Sequence, residues 1–189
     1  MENTEFAKPK TSHKKLYSYQ KGKAIYDLTR AFLETHLSPK DRTYDQMLQA
    51  ARSGKSNIVE GRKDAAISLE SEIKLYGIAI GSLEELKEDY DDYMRTHHIP
   101  KWDNTHPRFS KLREVCAKNN STQYYMQLLP KLNDEEFLNM MITLINQNIS
   151  MLNKLLEHVK QDFLKFGGIK EQMFKARTQY RIQHEKKLN

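Results

Sequence analysis

At 189 residues, with 38% hydrophobic and 30% charged side chains, the chain has room for one domain or one domain plus an appendage. Its regularly spaced Leu, Ile, Met, Phe and Tyr exclude disorder through the middle, and its scarcity of glycine (7) and proline (5) argues against a turn-rich sheet. A single cysteine, Cys116, excludes a disulfide framework and points to a reducing cytoplasm; no stretch approaches the ~20 apolar residues of a membrane span, and residues 1–16 lack the apolar run of a secretory signal.

The net charge of +6 is unevenly spread. Residues 1–65 carry 13 Lys/Arg against 8 Asp/Glu, residues 66–95 carry 3 against 8, residues 96–166 carry 9 against 7, and residues 167–189 carry 6 against 2. Two basic ends therefore flank an acidic stretch. That pattern fits an anionic partner, and it fits mutual docking of oppositely charged subunits equally well.

Residues 1–15 read as a flexible basic arm, polar, aperiodic and broken by Pro9. A first helix is expected over 16–36, where Tyr17, Gly22, Ile25, Leu28 and Phe32 share a face. It stops before Ser38-Pro39, because the residue preceding proline is driven out of the helical region. A second helix over 44–60 carries a narrow stripe of small residues at Ala50, Ala51 and Gly54, with Gly61 as its expected C-cap. The third begins near Ser68, whose hydroxyl and the following Glu70 and Glu72 complement the exposed amides of a first turn. Gly77 and Gly81, one turn apart on it, point to close helix packing in water.

Residues 96–132 break the pattern with Pro100, Trp102, Pro107 and Pro130, and read as a long irregular connection with a short helix over 108–118. A fourth helix starts at Asn133, with Glu136 three residues on as a capping box. Its apolar face is broad enough to touch more than one neighbour. Phe166-Gly167-Gly168 ends it, and a basic helix over 170–186 follows. The fold expected is all-α: an antiparallel up-down four-helix bundle over 16–166, with an additional C-terminal helix in 167–189.

Two motifs resemble a known family. Met47–Gly61 reads MLQAARSGKSNIVEG, and Ala79–Leu86 reads AIGSLEEL. The matching positions Ala50, Ala51, Ser53, Asn57, Ile58, Glu60 and Gly61, then Gly81, Ser82 and Leu83, are similar to the signature of the bacterial four-helix-bundle proteins first noticed in intervening sequences of 23S ribosomal RNA genes. Phe166–Met173 with Arg177 resembles the suffix segment that ends one subgroup, and Trp102 suits that subgroup. Gly54 and Gln49 depart from the pattern. The resemblance implies an up-down bundle, a homo-oligomer that is often a pentameric ring, and no enzyme. Distant relatives imply RNA, DNA or a reverse transcriptase as partners.

Each candidate residue has a structural and a functional reading. Asn57, Glu60 and Gly61 read first as capping and packing elements, and Gly81, Ser82, Gly167 and Gly168 likewise. The acids Glu84, Glu85, Glu88, Asp89, Asp91 and Asp92 read as a solvated face, since no Glu-x-x-His pair accompanies them. His97, His98, His106 and Cys116 match no zinc spacing, and no cofactor or metal is expected. The basic ends carry the functional lead. Lys14, Lys15, Lys21 and Lys23, with Lys8 and Lys10 before them, and Lys170, Lys175, Arg177 and Arg181, with Lys186 and Lys187 after, stand among Tyr17, Tyr19 and Tyr180. Cations neutralise phosphates and aromatic rings stack on unpaired bases, so a nucleic-acid module with little sequence reading is one expectation. A protein–protein scaffold whose basic suffix docks on a neighbour is the other. The two part on whether removing residues after 166 costs assembly or nucleic-acid affinity.

Overall fold

The structure, a computed structural model, describes residues 11–65 and 67–185. It is all-α, with no strand among the described residues: α1 (Tyr17–His36), α2 (Arg42–Asp64), α3 (Leu69–Thr96), α4 (Phe109–Lys118), α5 (Thr122–Leu128), α6 (Asp134–Phe166) and α7 (Ile169–Glu185), with 3-10 turns at His13–Lys15 and Leu129–Lys131. None of these helices is long and apolar enough to cross a membrane.

The helix starts follow from side-chain capping of amides that have no partner within the helix. Asp41 accepts from the Thr43 amide at 2.8 Å ahead of α2, and Ser68 accepts from the Ser71 amide at 3.1 Å ahead of α3. Ahead of α6 the capping box is complete: Asn133 accepts from the Glu136 amide at 2.9 Å, and Glu136 accepts from the Asn133 amide at 3.2 Å. The helix ends at Gly167, whose φ of 74° is left-handed.

The four long helices close a circuit of contacts: α1 on α2, α2 on α3, α3 on α6, and α6 on α1. Their shared core holds Ile25, Leu28 and Leu33 of α1, Met47 and Ile58 of α2, Leu83, Leu86 and Tyr90 of α3, and Leu138, Leu144, Ile145 and Leu152 of α6. Each fully buried aliphatic side chain of this kind contributes about 1.5–3 kcal/mol. Inside the core the Tyr90 hydroxyl donates to Thr29 Oγ1 at 3.0 Å. Along the α2–α3 seam, Ser82 donates to Ser53 Oγ at 2.9 Å, and Asn57 Nδ2 donates to Ser53 O at 2.9 Å and to Ser53 Oγ at 3.0 Å.

The structure corrects several expectations. Helix α2 does not end at Gly61; it runs one turn further, to Asp64. Gly61 lies inside it because a Cβ there would come within 2.9 Å of the Tyr76 ring, so glycine serves close approach and not a cap. Asn57 bonds back within its own helix and not to the helix end, and Glu60 is exposed. Gly77 and Gly81 meet no atom within 4 Å of an added Cβ, so they pack against nothing among the described residues.

Residues 96–132 are less irregular than expected. Besides α4 they contain α5, which packs on α1, while α4 packs on α6. The linking segment is pinned to α6 by Asn139, whose Oδ1 accepts from the Trp102 amide at 2.7 Å and whose Nδ2 donates to Pro100 O at 2.9 Å. The Trp102 indole donates to Glu135 at 2.5 Å and its ring stacks on His106 at 4.0 Å. Of the expected arm, residues 1–10 lie outside the described residues, with Lys8 and Lys10, as do Lys186 and Lys187; residues 13–15 form the first 3-10 turn.

Candidate nucleic-acid interface

The basic residues of the two chain ends are far apart in sequence, and the helices bring them to one end of the body. Arg62, in the last turn of α2, ties three segments together. Its Nε donates to Thr11 O at 2.8 Å, just before the N-terminal 3-10 turn. Its guanidinium also lies 3.4 Å from the fully buried carboxylate of Glu72, in the first turn of α3. Tyr76 donates to that same carboxylate at 2.9 Å, and burial first, then the charge of Glu72, raises the phenol's pKa. The fourth segment arrives at Gly168, where a Cβ would overlap the Glu70 carboxylate. The start of α1, the end of α2, the start of α3 and the junction of α6 with α7 therefore meet.

At this end Lys14, Lys15, Lys63 and Lys170 are exposed, and α7 leaves from it carrying exposed Lys175, Arg177 and Arg181. Asp64, Glu70 and Glu171 are exposed acids nearby. The field of the cations is felt at His13, whose imidazole is held below its ordinary pKa by burial, then by Lys63 and Lys14. Apolar rings stand in the same region: Tyr17 is 67% exposed, Phe166 49% and Phe174 72%. Lys165 lies 5.1 Å above the Phe166 ring. The N-terminal turn is held in place by Gln20, which donates to Lys14 O at 3.0 Å.

The α6–α7 turn is equally specified. The Gly168 amide donates to Glu171 at 3.1 Å, and Gln172 donates to Gly167 O at 2.9 Å. A side chain at either glycine would run into Glu171 or Glu70. Beyond the turn, every α7 side chain from Lys170 to Gln183 is exposed except Gln172 and Ala176, which are half-buried.

Two of the expected cations do not join this group. Lys21 is fully buried. Its ammonium donates to Cys116 O at 2.5 Å, to Gln147 Oε1 at 3.2 Å and to Asn119 O at 3.3 Å, so it satisfies carbonyls where α4 ends and is withdrawn from any phosphate. Burial pulls its pKa down to about 8. Lys23 is exposed but sits 3.8 Å from Asp27, one turn along the same helix. Lys63 was not singled out from the sequence. The signal was the Arg62-Lys63 pair directly after Gly61, which only the position of the next helix turns into a surface.

The opposite end is acidic. There His36 Nε2 lies 3.1 Å from Asp134, beside Glu135 and Glu136, and Tyr93 brings the end of α3 with Asp89, Asp91 and Asp92 alongside. Asp89 is held above the ordinary carboxylate range by burial, then by Asp92 and Glu85. Lys101 pairs with Asp91 at 2.7 Å, Arg95 with Asp92 at 2.9 Å, and Arg108 with Glu136. The histidines of the 97–106 segment and Cys116 do not converge: His97 stacks on Tyr93, His106 on Trp102, and Cys116 is buried under α5 with its thiol pushed up to about 11 by burial. Among the described residues no three His, Cys, Asp or Glu side chains gather as a metal site.

No protein-family model, curated protein or solved structure matches the chain.

Proposed function

We propose that this chain is a non-enzymatic, cytoplasmic, oligomeric module that binds nucleic acid, RNA or a nucleoprotein, with little sequence specificity. Its four long helices are read as an antiparallel up-down bundle of the 23S intervening-sequence type, with α7 as the added suffix, and the resemblance favours a pentameric homo-oligomer and admits a reverse transcriptase as partner. One observation carries the reading: cations from both ends of the chain, Lys14, Lys15, Lys63, Lys170 and Lys175, share one end of the body with the exposed rings of Tyr17, Phe166 and Phe174. Cations spaced along a surface displace counterions from a phosphate backbone, and aromatic faces stack on bases whatever their identity.

A gel shift of the full chain against single-stranded RNA, single-stranded DNA and duplex, titrated with salt, tests it. Affinity should fall steeply as salt rises, with a log–log slope of about −0.7 per neutralised phosphate on a single strand. Lys14→Glu with Lys15→Glu should flatten that slope, and Lys23→Glu should leave it nearly unchanged. Absence of binding to all three at low salt overturns the reading.

A further inference from the structure

We propose that α7 of one copy docks in parallel along the solvent face of α3 in a second copy, seating Phe174 on the bare backbone at Gly81 and pairing Arg177 and Arg181 with Glu84 and Glu88. The inference goes beyond nucleic-acid binding and does not depend on it.

Among the described residues both surfaces are largely exposed, and of the charged groups the contact would use Glu88 has an ion-pair neighbour, Lys87 at 3.8 Å on its own helix. Helix α7 exposes Phe174 at 72%, Met173 at 50% and Ile182 at 49%, and a helix of its length draws most of its stability from packing an apolar face. None of Lys170, Lys175, Arg177 or Arg181 has an ion-pair partner among the described residues. On α3, Gly77, Gly81, Glu84, Glu85 and Glu88 lie on one face at helical spacing. Gly77 and Gly81 have open space above them, with Ile78 43% exposed beside them, and Glu84 and Glu85 have no ion-pair partner among the described residues.

The two faces match in charge and in spacing. Phe174, Arg177 and Arg181 are separated by three and then four residues, and so are Gly81, Glu84 and Glu88. Laid side by side in the same direction, ring falls on glycine and cation falls on carboxylate at each step, over a span of about 10 Å at 1.5 Å per residue. The antiparallel arrangement carries Arg177 and Arg181 toward Lys74 and away from the acids. A glycine pair lets the incoming ring reach the helix backbone, where any larger residue would hold it off.

The occupant is a second copy and not the chain's own α7. The Gly167-Gly168 turn is held by the Glu171 and Gln172 hydrogen bonds and by contact with Glu70, and it leaves the α7 faces in solvent. Because the donor face is on α7 and the acceptor face on α3, each copy offers both, and the contact either closes reciprocally between two copies or propagates head-to-tail to a ring or an open chain. Docking consumes Phe174, Arg177 and Arg181 and leaves Lys14, Lys15, Lys63, Lys170 and Lys175, with the rings of Tyr17 and Phe166, to a polyanion.

Sedimentation velocity of the full chain without nucleic acid, over a hundredfold concentration range, tests the contact separately from nucleic-acid binding. The wild-type chain should self-associate. Glu84→Lys with Glu88→Lys, Arg177→Glu with Arg181→Glu, and Gly81→Leu should each weaken association at least tenfold, with helical content retained. Mixing the two charge-reversed chains should restore association. A wild-type chain that stays monomeric overturns the proposal, whether α7 is free or folded back on its own α3. So does an oligomer whose mass the reversals leave unchanged, or a pair of reversed chains that do not recover on mixing.

Discussion

The Lys21 ammonium lies 2.5 Å from the carbonyl oxygen of Cys116, fully buried where α4 ends. A cation at a helix C-terminus is favoured by the carbonyls it meets, and this one is also bonded to Asn119 O and Gln147. Its cost is desolvation, which lowers its pKa from 10.5 to about 8.

A pH profile of stability follows with a definite sign. Below pH 8 Lys21 is protonated in both folded and unfolded chains and adds no slope. Between about 8 and 10.5 the unfolded chain holds a proton that the folded one has released, so stability rises with pH, by at most about 1.4 kcal/mol per pH unit. Cys116 acts in the opposite sense, because its thiol is raised from 9.0 to about 11 and the folded chain keeps a proton the unfolded one loses. Tyr76, Tyr90 and Tyr125, all raised from 10.0, add to that loss above pH 10. Urea melts should show a gain from pH 8 to 9 and a decline above 10. In Lys21→Met the gain should vanish, with stability at pH 7 lower by about 1–3 kcal/mol as the carbonyls at the end of α4 lose their donor. A profile unchanged by the substitution would mean that Lys21 titrates normally.

The glycines divide into two classes by what a methyl group would meet. At Gly61 a Cβ would sit 2.9 Å from the Tyr76 ring, which is buried between α2 and α3. Gly61→Ala should therefore destabilise by about 1–3 kcal/mol. At Gly77 nothing lies within 4 Å, and the residue is in mid-helix, so Gly77→Ala should stabilise by about 0.5–1 kcal/mol. Thermal melts of the two variants, run dilute so that association does not contribute, should move in opposite directions. Equal shifts would mean that the α2–α3 seam is looser than its geometry.

The same pair of glycines shows where the sequence was informative. Periodicity and capping residues located α1, α3 and α6 because each depends on neighbours a few residues away: Ser68 with Ser71, Asn133 with Glu136. Gly61 and Gly77 are identical letters within helices, and only the partner helix distinguishes a close approach from open space. Lys21 failed as a surface cation for the same reason. It stands beside exposed Lys23 in sequence, while its burial is set by residues 116, 119 and 147. Helix α5 escaped because its seven residues are too short to show a period. The basic end of the body was half legible: the charges were plain at each chain end, and their meeting depends on Arg62 and Gly168.

Asn139 is the clamp for the segment between α3 and α4. It is buried, accepts from the Trp102 amide, and donates to Pro100 O. Asn139→Ala should leave those two backbone groups without their partner and cost about 2–4 kcal/mol. Trp102 fluorescence should shift to the red as the indole leaves Glu135 and His106. Glu135→Gln keeps an acceptor for the indole and should leave the emission near wild type. A red shift in Glu135→Gln but not in Asn139→Ala would assign the pinning to the Glu135 charge and not to Asn139.

Asn148 is the discordant residue of α6. It is fully buried opposite Gly22, where a Cβ would lie 3.3 Å from its Nδ2, and neither of its polar side-chain atoms has a hydrogen-bond partner among the described residues. An unpaired buried amide costs about 1–3 kcal/mol per group by mutational measures. Leucine has the same branching at Cγ but is bulkier, so Asn148→Leu removes both unpaired groups at some cost in overpacking and should raise the midpoint of chemical denaturation without changing its slope, by about 1 kcal/mol. Gly22→Ala, which crowds the same spot, should lower it. If Asn148→Leu destabilises by more than the ~1–3 kcal/mol of overpacking, the amide has a partner in solution, and α1 and α6 meet there through a bond and not through close packing alone.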